Sequence, residues 1–377
     1  MIRRPGLTTS QFWNTLFAFL LTGAAFSVFF QQSPGGCGDY PQNFEVLYLG
    51  LGAGAFLFVI YWLLWRLIPH AGWALPVLDV TIRFYLASVI LGYGFAKVFV
   101  SQFPHLMANM DARFTELSPM RVAWAFFGYS RGYQMFLGWG EVIPALLLLF
   151  RRTSLLGALL MLVVMLNVFL INIFFDVCVK LNSGLYTVLS LFILLQHTPR
   201  LWNFFIANRM TPPAMADVWA GPRWVLWTGR VVKYAALAWI LWTNGQAAVN
   251  MMQYAQSHVA QTPVQGAWRA FEVRRQQDSV WTAMDPNDSL YAGKIFFDGY
   301  NGVIRSEWIR DRFRFSLDSA SSSLTVNFTN ARNEWNIAPE QWVYQVVAAD
   351  TLSLTTVWRG STIAVKAVRR KEKLTRY

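Results

Sequence analysis

The chain has 377 residues, of which 55% are hydrophobic, 16% aromatic and only 14% charged. Soluble domains run at about 45–50% apolar and about 25% charged, so a wholly water-soluble protein is excluded, as is disorder, which needs low hydrophobicity. The net charge of +12 does not call for nucleic acid, because the basic residues mostly flank apolar runs, where membrane orientation and lipid phosphate account for them.

Apolar runs near the roughly 20 residues that a bilayer-crossing helix needs fall at 11–30, 46–68, 79–100, 131–150, 154–176, 180–197 and 224–243. The chain therefore reads as a polytopic α-helical membrane protein with about seven transmembrane helices. Arg3, Arg4 and Gly23-Ala24-Ala25 also suit a signal peptide, but the apolar stretch 16–30 is longer than a usual signal core and favours an uncleaved helix. The sixth run is the weakest, with Lys180, Asn182 and Ser183 in its first turns. Arg3, Arg4, Arg66, Arg151, Arg152, Arg200, Arg209 and Arg223 all fall on one side, opposite Asp39 and Glu45, which predicts a cytoplasmic N-terminus. Between the third and fourth runs, Ser118-Pro119 can start a short helix, Pro119–Tyr129, with Ser118 as N-cap. It reads either as an interfacial helix lidding a polar pocket or as a surface helix packed on the bundle.

From about Gln246 charges become frequent. A linker, 244–265, precedes short alternating runs at 267–273, 291–297, 303–317, 323–328, 343–347, 351–358 and 362–368, punctuated by Asp-Gly, Asn-Gly and Arg-Gly pairs. That pattern predicts a small C-terminal antiparallel β domain, a sandwich or barrel, with a basic tail at 369–376 and an extracytoplasmic location. Trp281, Trp308, Trp335, Trp342 and Trp358 read as its core or as a binding face, and core is the expectation, since a small sandwich needs large apolar side chains.

Ionisable side chains at membrane depth are costly and are kept for a reason. Arg83, Lys97, Glu141, Asp176 and Lys180 are such residues, and Asn167 and Asn172 add neutral polar groups. Lys97 lies roughly 21 Å along the helix from Arg83, with Tyr93 one turn away on its own face. If the helix is continuous, Asn172, Asp176 and Lys180 line one stripe. Two readings stay open. The charges form interhelical pairs that fix register, or they enclose a polar site where Lys97 or Tyr93 donates to a ligand carbonyl while Glu141 or Asp176 handles protons. Cys37 and Cys178 fall on the outer side, where a single disulfide is chemically permitted. With two Cys and four His in all, no metal site is expected.

Arg83, Gly92-Tyr93-Gly94-Phe95-Ala96-Lys97, Gly138-Trp139-Gly140-Glu141, Arg151-Arg152-Thr153, Asn167 and Phe175-Asp176-Val177-Cys178-Val179-Lys180 together resemble the DoxX family of bacterial membrane proteins. The likeness covers roughly 79–197 and is strongest to an enlarged form with extra helices and a C-terminal extracytoplasmic β domain. It implies that 79–197 is a four-helix unit, while the runs above give N-terminal helices in 1–78, a cytoplasmic loop and last helix in 198–243, a linker in 244–265 and the β domain in 266–377. It also implies a multi-pass protein of the bacterial inner membrane, with Lys97, Glu141 and Asp176 at the family's polar positions as catalytic candidates. Tyr93, Asn172, Lys180, Arg83 and Asn167 would be the ligand-binding candidates. Some family members serve quinone-coupled redox. The chain carries no evident cofactor motif, so the leading expectation is a quinone-binding or redox-linked subunit that touches membrane lipid and a protein partner. If it is an enzyme at all, it would be a subunit of a membrane quinone-linked oxidoreductase. An assembly subunit whose β domain docks a periplasmic partner is the alternative, and a lipid or small-molecule carrier the third.

Overall fold

The computed structural model describes residues 8–33, 37–65, 74–103, 107–210, 223–257, 262–318, 321–328 and 339–370. The helices in chain order are α1 (Thr9–Ser27), α2 (Pro41–Leu64), α3 (Ala74–Val98), α4 (Met107–Met110), α5 (Pro119–Tyr129), α6 (Arg131–Leu149), α7 (Ser154–Phe174), α8 (Lys180–Leu195), α9 (Thr198–Phe205) and α10 (Arg223–Ser257). The strands are β1 (Gly266–Gln277), β2 (Val280–Ala283), β3 (Lys294–Asp298), β4 (Asn301–Arg305), β5 (Arg310–Asp318), β6 (Ser323–Phe328), β7 (Glu340–Ala348), β8 (Thr351–Trp358) and β9 (Ser361–Arg369). They fall into two compact units: Met1–Gln102 with Gly132–Met251, and Phe103–Arg131 with Met252–Tyr377.

In the helical unit, five helices among the described residues are long and apolar enough to cross a membrane: Thr9–Phe30, α2, α3, α6 and α7. The expected count of seven therefore stands at five by length and composition. At 16 residues, α8 spans roughly 24 Å, short of a core about 30 Å thick. Although α10 has 35 residues, it meets the length requirement without the apolarity, carrying Arg230 and Lys233 in its first half. It also continues through 244–257, where composition suggests a linker; once nucleated, a helix propagates through a polar stretch that holds no Pro, even past the single Gly245.

The chain's local chemistry explains the ends. Thr8 and Gln11 form a reciprocal capping box at the start of α1, and Pro41 occupies the first turn of α2. The packing rests on small residues, as expected where lipid removes the hydrophobic drive for helix association. A Cβ on Gly138 of α6 would lie 2.7 Å from the Gly94 carbonyl oxygen of α3. The two backbones are in contact. Around them, Leu86, Ile90, Leu91, Val142, Ala145, Leu148, Met161, Leu189 and Ile193 form the core.

The second unit is a closed antiparallel barrel. Its sheet order is β2-β1-β3-β4-β5-β6-β7-β8-β9, and β1 also pairs with β9, so eight strands close the ring while β2 extends one end of β1. Closure removes exposed sheet edges. Trp268, Phe297, Phe313, Trp342, Leu354 and Trp358 fill the interior. The β8–β9 hairpin turns on Arg359 and Gly360, with φ of 51° and 77°, the geometry of a two-residue turn that suits strand twist. The single apolar run 303–317 is two strands, broken at Ser306–Ile309, where the Ser306 hydroxyl accepts from the backbone N–H groups of Trp308 and Ile309. Of the five tryptophans expected inside, Trp342 and Trp358 are buried, Trp281 and Trp308 are exposed, and Trp335 lies outside the described residues.

The segment between α3 and α6 clusters with the barrel. Helix α5 spans Pro119–Tyr129, with Pro119 in its first turn. Within the unit, Met107 and Ala108 pack on Ala267, Phe296 and Val303.

Candidate functional site

The buried residues of α3 fall at 83, 87, 90, 94 and 97 among others, one helix face by their spacing, with a cation at each end. At one end the Arg83 guanidinium donates through Nε to Asp79 at 2.9 Å and reaches the Leu148 carbonyl at 3.4 Å. Asp79 escaped the sequence reading because it lies in the first turns of the span, where a charge reads as interfacial. At the other end, the Lys97 ammonium donates to Glu141 Oε2 of α6 at 2.7 Å, and both side chains are buried. The ammonium also lies over the Tyr93 ring, 5.9 Å from its centroid. Tyr93 is partly exposed and begins a row of phenols: its ring stands 6.4 Å from Tyr186 of α8, which stands 6.4 Å from Tyr85 of α3.

On α6 the buried positions include Gln134, Gly138, Glu141, Ala145 and Leu148, a stripe with the spacing of one helix face. Gln134 is completely buried, and neither its Oε1 nor its Nε2 has a hydrogen-bond partner. A buried amide without partners costs free energy. The sequence reading missed it, since a lone Gln carries no charge to draw attention. Its distance of seven residues from Glu141 was the available signal. Pro144, inside α6, has no N–H to donate to the carbonyl of residue 140, leaving a backbone acceptor beside Glu141 without its helical donor.

The other expected members are elsewhere. Asp176 and Lys180 do not extend a stripe from Asn172, because α7 ends at Phe174 and Asp176 takes φ of 49°. Lys180 pairs with Asp176 at 2.7 Å and with Asp39 at 3.6 Å, and the Asp176 side chain is 80% exposed. Asp39 accepts from the backbone N–H groups of Lys180 and Leu181 and so caps α8. Cys37 is bonded to Cys178 beside this cap, and the Gly38 N–H donates to the Cys178 carbonyl at 2.6 Å. That set ties the loop before α2 to the α7–α8 junction. Asn172 is buried at the end of α7, whereas Asn167 faces outward. Outward exposure removes Asn167 from the polar cluster.

Among the described residues no group of three or more His, Cys, Asp or Glu is arranged to hold a metal ion. The pair that does assemble is Lys97–Glu141 with Tyr93 beside the ammonium, while Gln134 lies on the same α6 face two turns, about 10 Å, from Glu141. Chemically the pair and Tyr93 offer a phenol donor and a carboxylate that can accept a proton, with the Gln134 amide further along the face.

No family model matches the chain, and no solved structure matches it. Uncharacterized protein YwoB of Bacillus subtilis (strain 168) is 36% identical to it over 125 residues, which is 33% of this chain and 80% of YwoB.

Proposed function

From the premise that this chain belongs to the family of the Bacillus subtilis protein YwoB, we propose that it is a multi-pass inner-membrane protein whose Lys97–Glu141 site binds a quinone. On this reading it is a redox-linked subunit of a membrane complex, DoxX-like in its central helices. Helices α8 and α10 complete seven spans, with the N-terminus cytoplasmic and the barrel outside. The observation that carries the ligand reading is Gln134, a fully buried amide with both polar atoms unpaired on the face that holds Glu141.

A quinone head is flat, apolar at its rim and carries two carbonyl acceptors. The residues present fit it: the Gln134 amide and the Tyr93 hydroxyl can donate to a carbonyl, and Glu141 can hold a proton on a carboxylate oxygen while Lys97 stabilises its charged form. When bound, a quinone supplies a two-electron, two-proton couple. The chain's residues orient it and keep water from it.

The test is titration of the detergent-solubilised protein with a short-tailed quinone, decylubiquinone, followed by quenching of tryptophan fluorescence. Gln134→Leu, which removes the donor and keeps the bulk, is expected to weaken binding about tenfold, the worth of one buried hydrogen bond near 1.4 kcal/mol. Absence of saturable quenching in the unmodified protein sinks the reading.

A second reading has its own observation. Lys97 and Glu141 neutralise each other at 2.7 Å beside the Gly94–Gly138 backbone contact, an arrangement that sets helix register without any ligand. In that case the protein is an assembly subunit, and Gln134→Leu changes nothing but stability.

A further inference from the structure

Strand β5 alternates. Phe313 and Phe315 point into the barrel core, so Arg310, Arg312 and Arg314 lie on its outer face. The β4–β5 register sets Arg305 opposite Arg310 and Val303 opposite Arg312, and the segment carrying α4 and α5 lies over this face. Arg310 reaches that segment through Nη2 alone, donating to the Ala108 carbonyl at 3.2 Å and to Asn109 Oδ1 at 2.8 Å. Its Nε and Nη1 are buried and have no hydrogen-bond partner. Desolvated guanidinium donors left unpaired are expensive.

The acidic groups that Arg310 senses are already committed. Asp111 is held by Lys294 at 2.7 Å, Arg305 at 3.6 Å and Arg370, and Glu116 by Arg305 at 2.6 Å and Arg113 at 3.9 Å. Three other cations press on this place. Burial first, then Arg121 of α5 and Arg305, lower the pKa of Arg310, an effect that Glu116 and Asp111 oppose. Burial, then Arg121 and Arg310, push Arg312 down to about 9. An arginine stays charged at neutral pH, so these cations repel one another where they meet.

We propose that Arg310, Arg312 and Arg121 form a binding site for a phosphate-bearing anion, anchored on the two unpaired donors of Arg310. The planar guanidinium fork matches phosphate oxygens in pairs, and a bound anion relieves both the missing hydrogen bonds and the repulsion. The chemistry is shared by a free phosphate and by an anionic lipid headgroup. Exposed Phe114, Met120, Phe126, Tyr129 and Trp308 in the same unit give a lipid apolar neighbours.

Full-length protein in dodecyl maltoside micelles would be titrated with dioleoylphosphatidylglycerol, with dioleoylphosphatidylcholine and with inorganic phosphate. Adducts are read by native mass spectrometry and the melting midpoint by differential scanning fluorimetry. Saturable binding of the phosphatidylglycerol without phosphate assigns a lipid headgroup, and binding of inorganic phosphate assigns a free phosphate or phosphate ester. Either supports the site, provided that Arg310→Gln and Arg312→Gln each weaken it about tenfold while Arg274→Gln, at an exposed pair elsewhere, leaves it unchanged. Should Arg310→Gln fail to fold, Arg121→Gln and Arg312→Gln carry the test, since neither supplies the Ala108 contact. Absence of binding to either anion, binding equal to that of the phosphatidylcholine, or affinity unchanged in the arginine variants overturns the proposal.

Discussion

In the helical unit the buried cation Lys97 meets one anion, Glu141, at 2.7 Å. In the barrel unit the buried carboxylate Asp111 meets three cations, Lys294, Arg305 and Arg370, with Arg310 and Arg312 further along the same outer face. The difference follows from dielectric. Between apolar helices an unbalanced charge is prohibitive, so cation and anion come in equal number. In the barrel unit, where several charged groups share the desolvation penalty, an excess of one sign persists, and the unpaired Arg310 donors leave it available for a counter-ion.

The largest expected effect breaks the balanced side. Glu141→Ala leaves Lys97 buried without a partner and should cost about 3–5 kcal/mol in a reversible denaturation assay in micelles. Combining Lys97→Leu with Glu141→Leu should restore most of that loss, because apolar residues replace a buried pair at little cost. The restored protein should bind no quinone if the pair serves a ligand, which separates the two functional readings.

Next comes the staple outside that pair. Replacing Cys37 and Cys178 by Ser opens a link between residues 141 apart and should cost about 2–5 kcal/mol by the same assay. The loss should fall on the α7–α8 junction, where amide hydrogen exchange reports it.

The unbalanced side should respond less and with a pH signature. Burial alone would raise the Asp111 pKa, but Lys294 and Arg370 together bring it below the ordinary carboxylate value. A depressed pKa means that the stabilisation is complete above the unfolded value of about 3.9 and is lost as pH falls through the lower folded value. Acid melting of the barrel below about pH 4 should therefore be blunted in Asp111→Asn. At neutral pH that variant should be less stable by about 2 kcal/mol. The smallest effect is at Arg359, exposed and paired with Asp311 at 2.7 Å. Arg359→Gln should cost less than about 1 kcal/mol and fade with added salt.

Much of the architecture was legible in the sequence, for identifiable reasons. Strands β6 and β8 coincide with the alternating runs at 323–328 and 351–358, because alternation and a bounding turn define a strand locally. The run 303–317 misled because the Ser306–Ile309 turn holds no Gly or Pro, only a Ser whose hydroxyl binds two backbone amides. Lys97 and Glu141 stood out because charge in an apolar run needs no partner to be noticed. Gln134 did not, because its significance comes entirely from being buried and unpaired.

Composition and periodicity alone determined that this is a membrane-type helical chain with an appended β module, since apolar length and alternation are properties of contiguous residues. Which charges meet was decided only by the tertiary structure. The Lys97–Glu141 pair joins positions 44 residues apart and Arg370–Asp111 positions 259 apart, and separations of that size are set by how helices and strands pack. The same holds for the Asn172–Lys180 stripe, which periodicity predicts and the left-handed turn at Asp176 breaks.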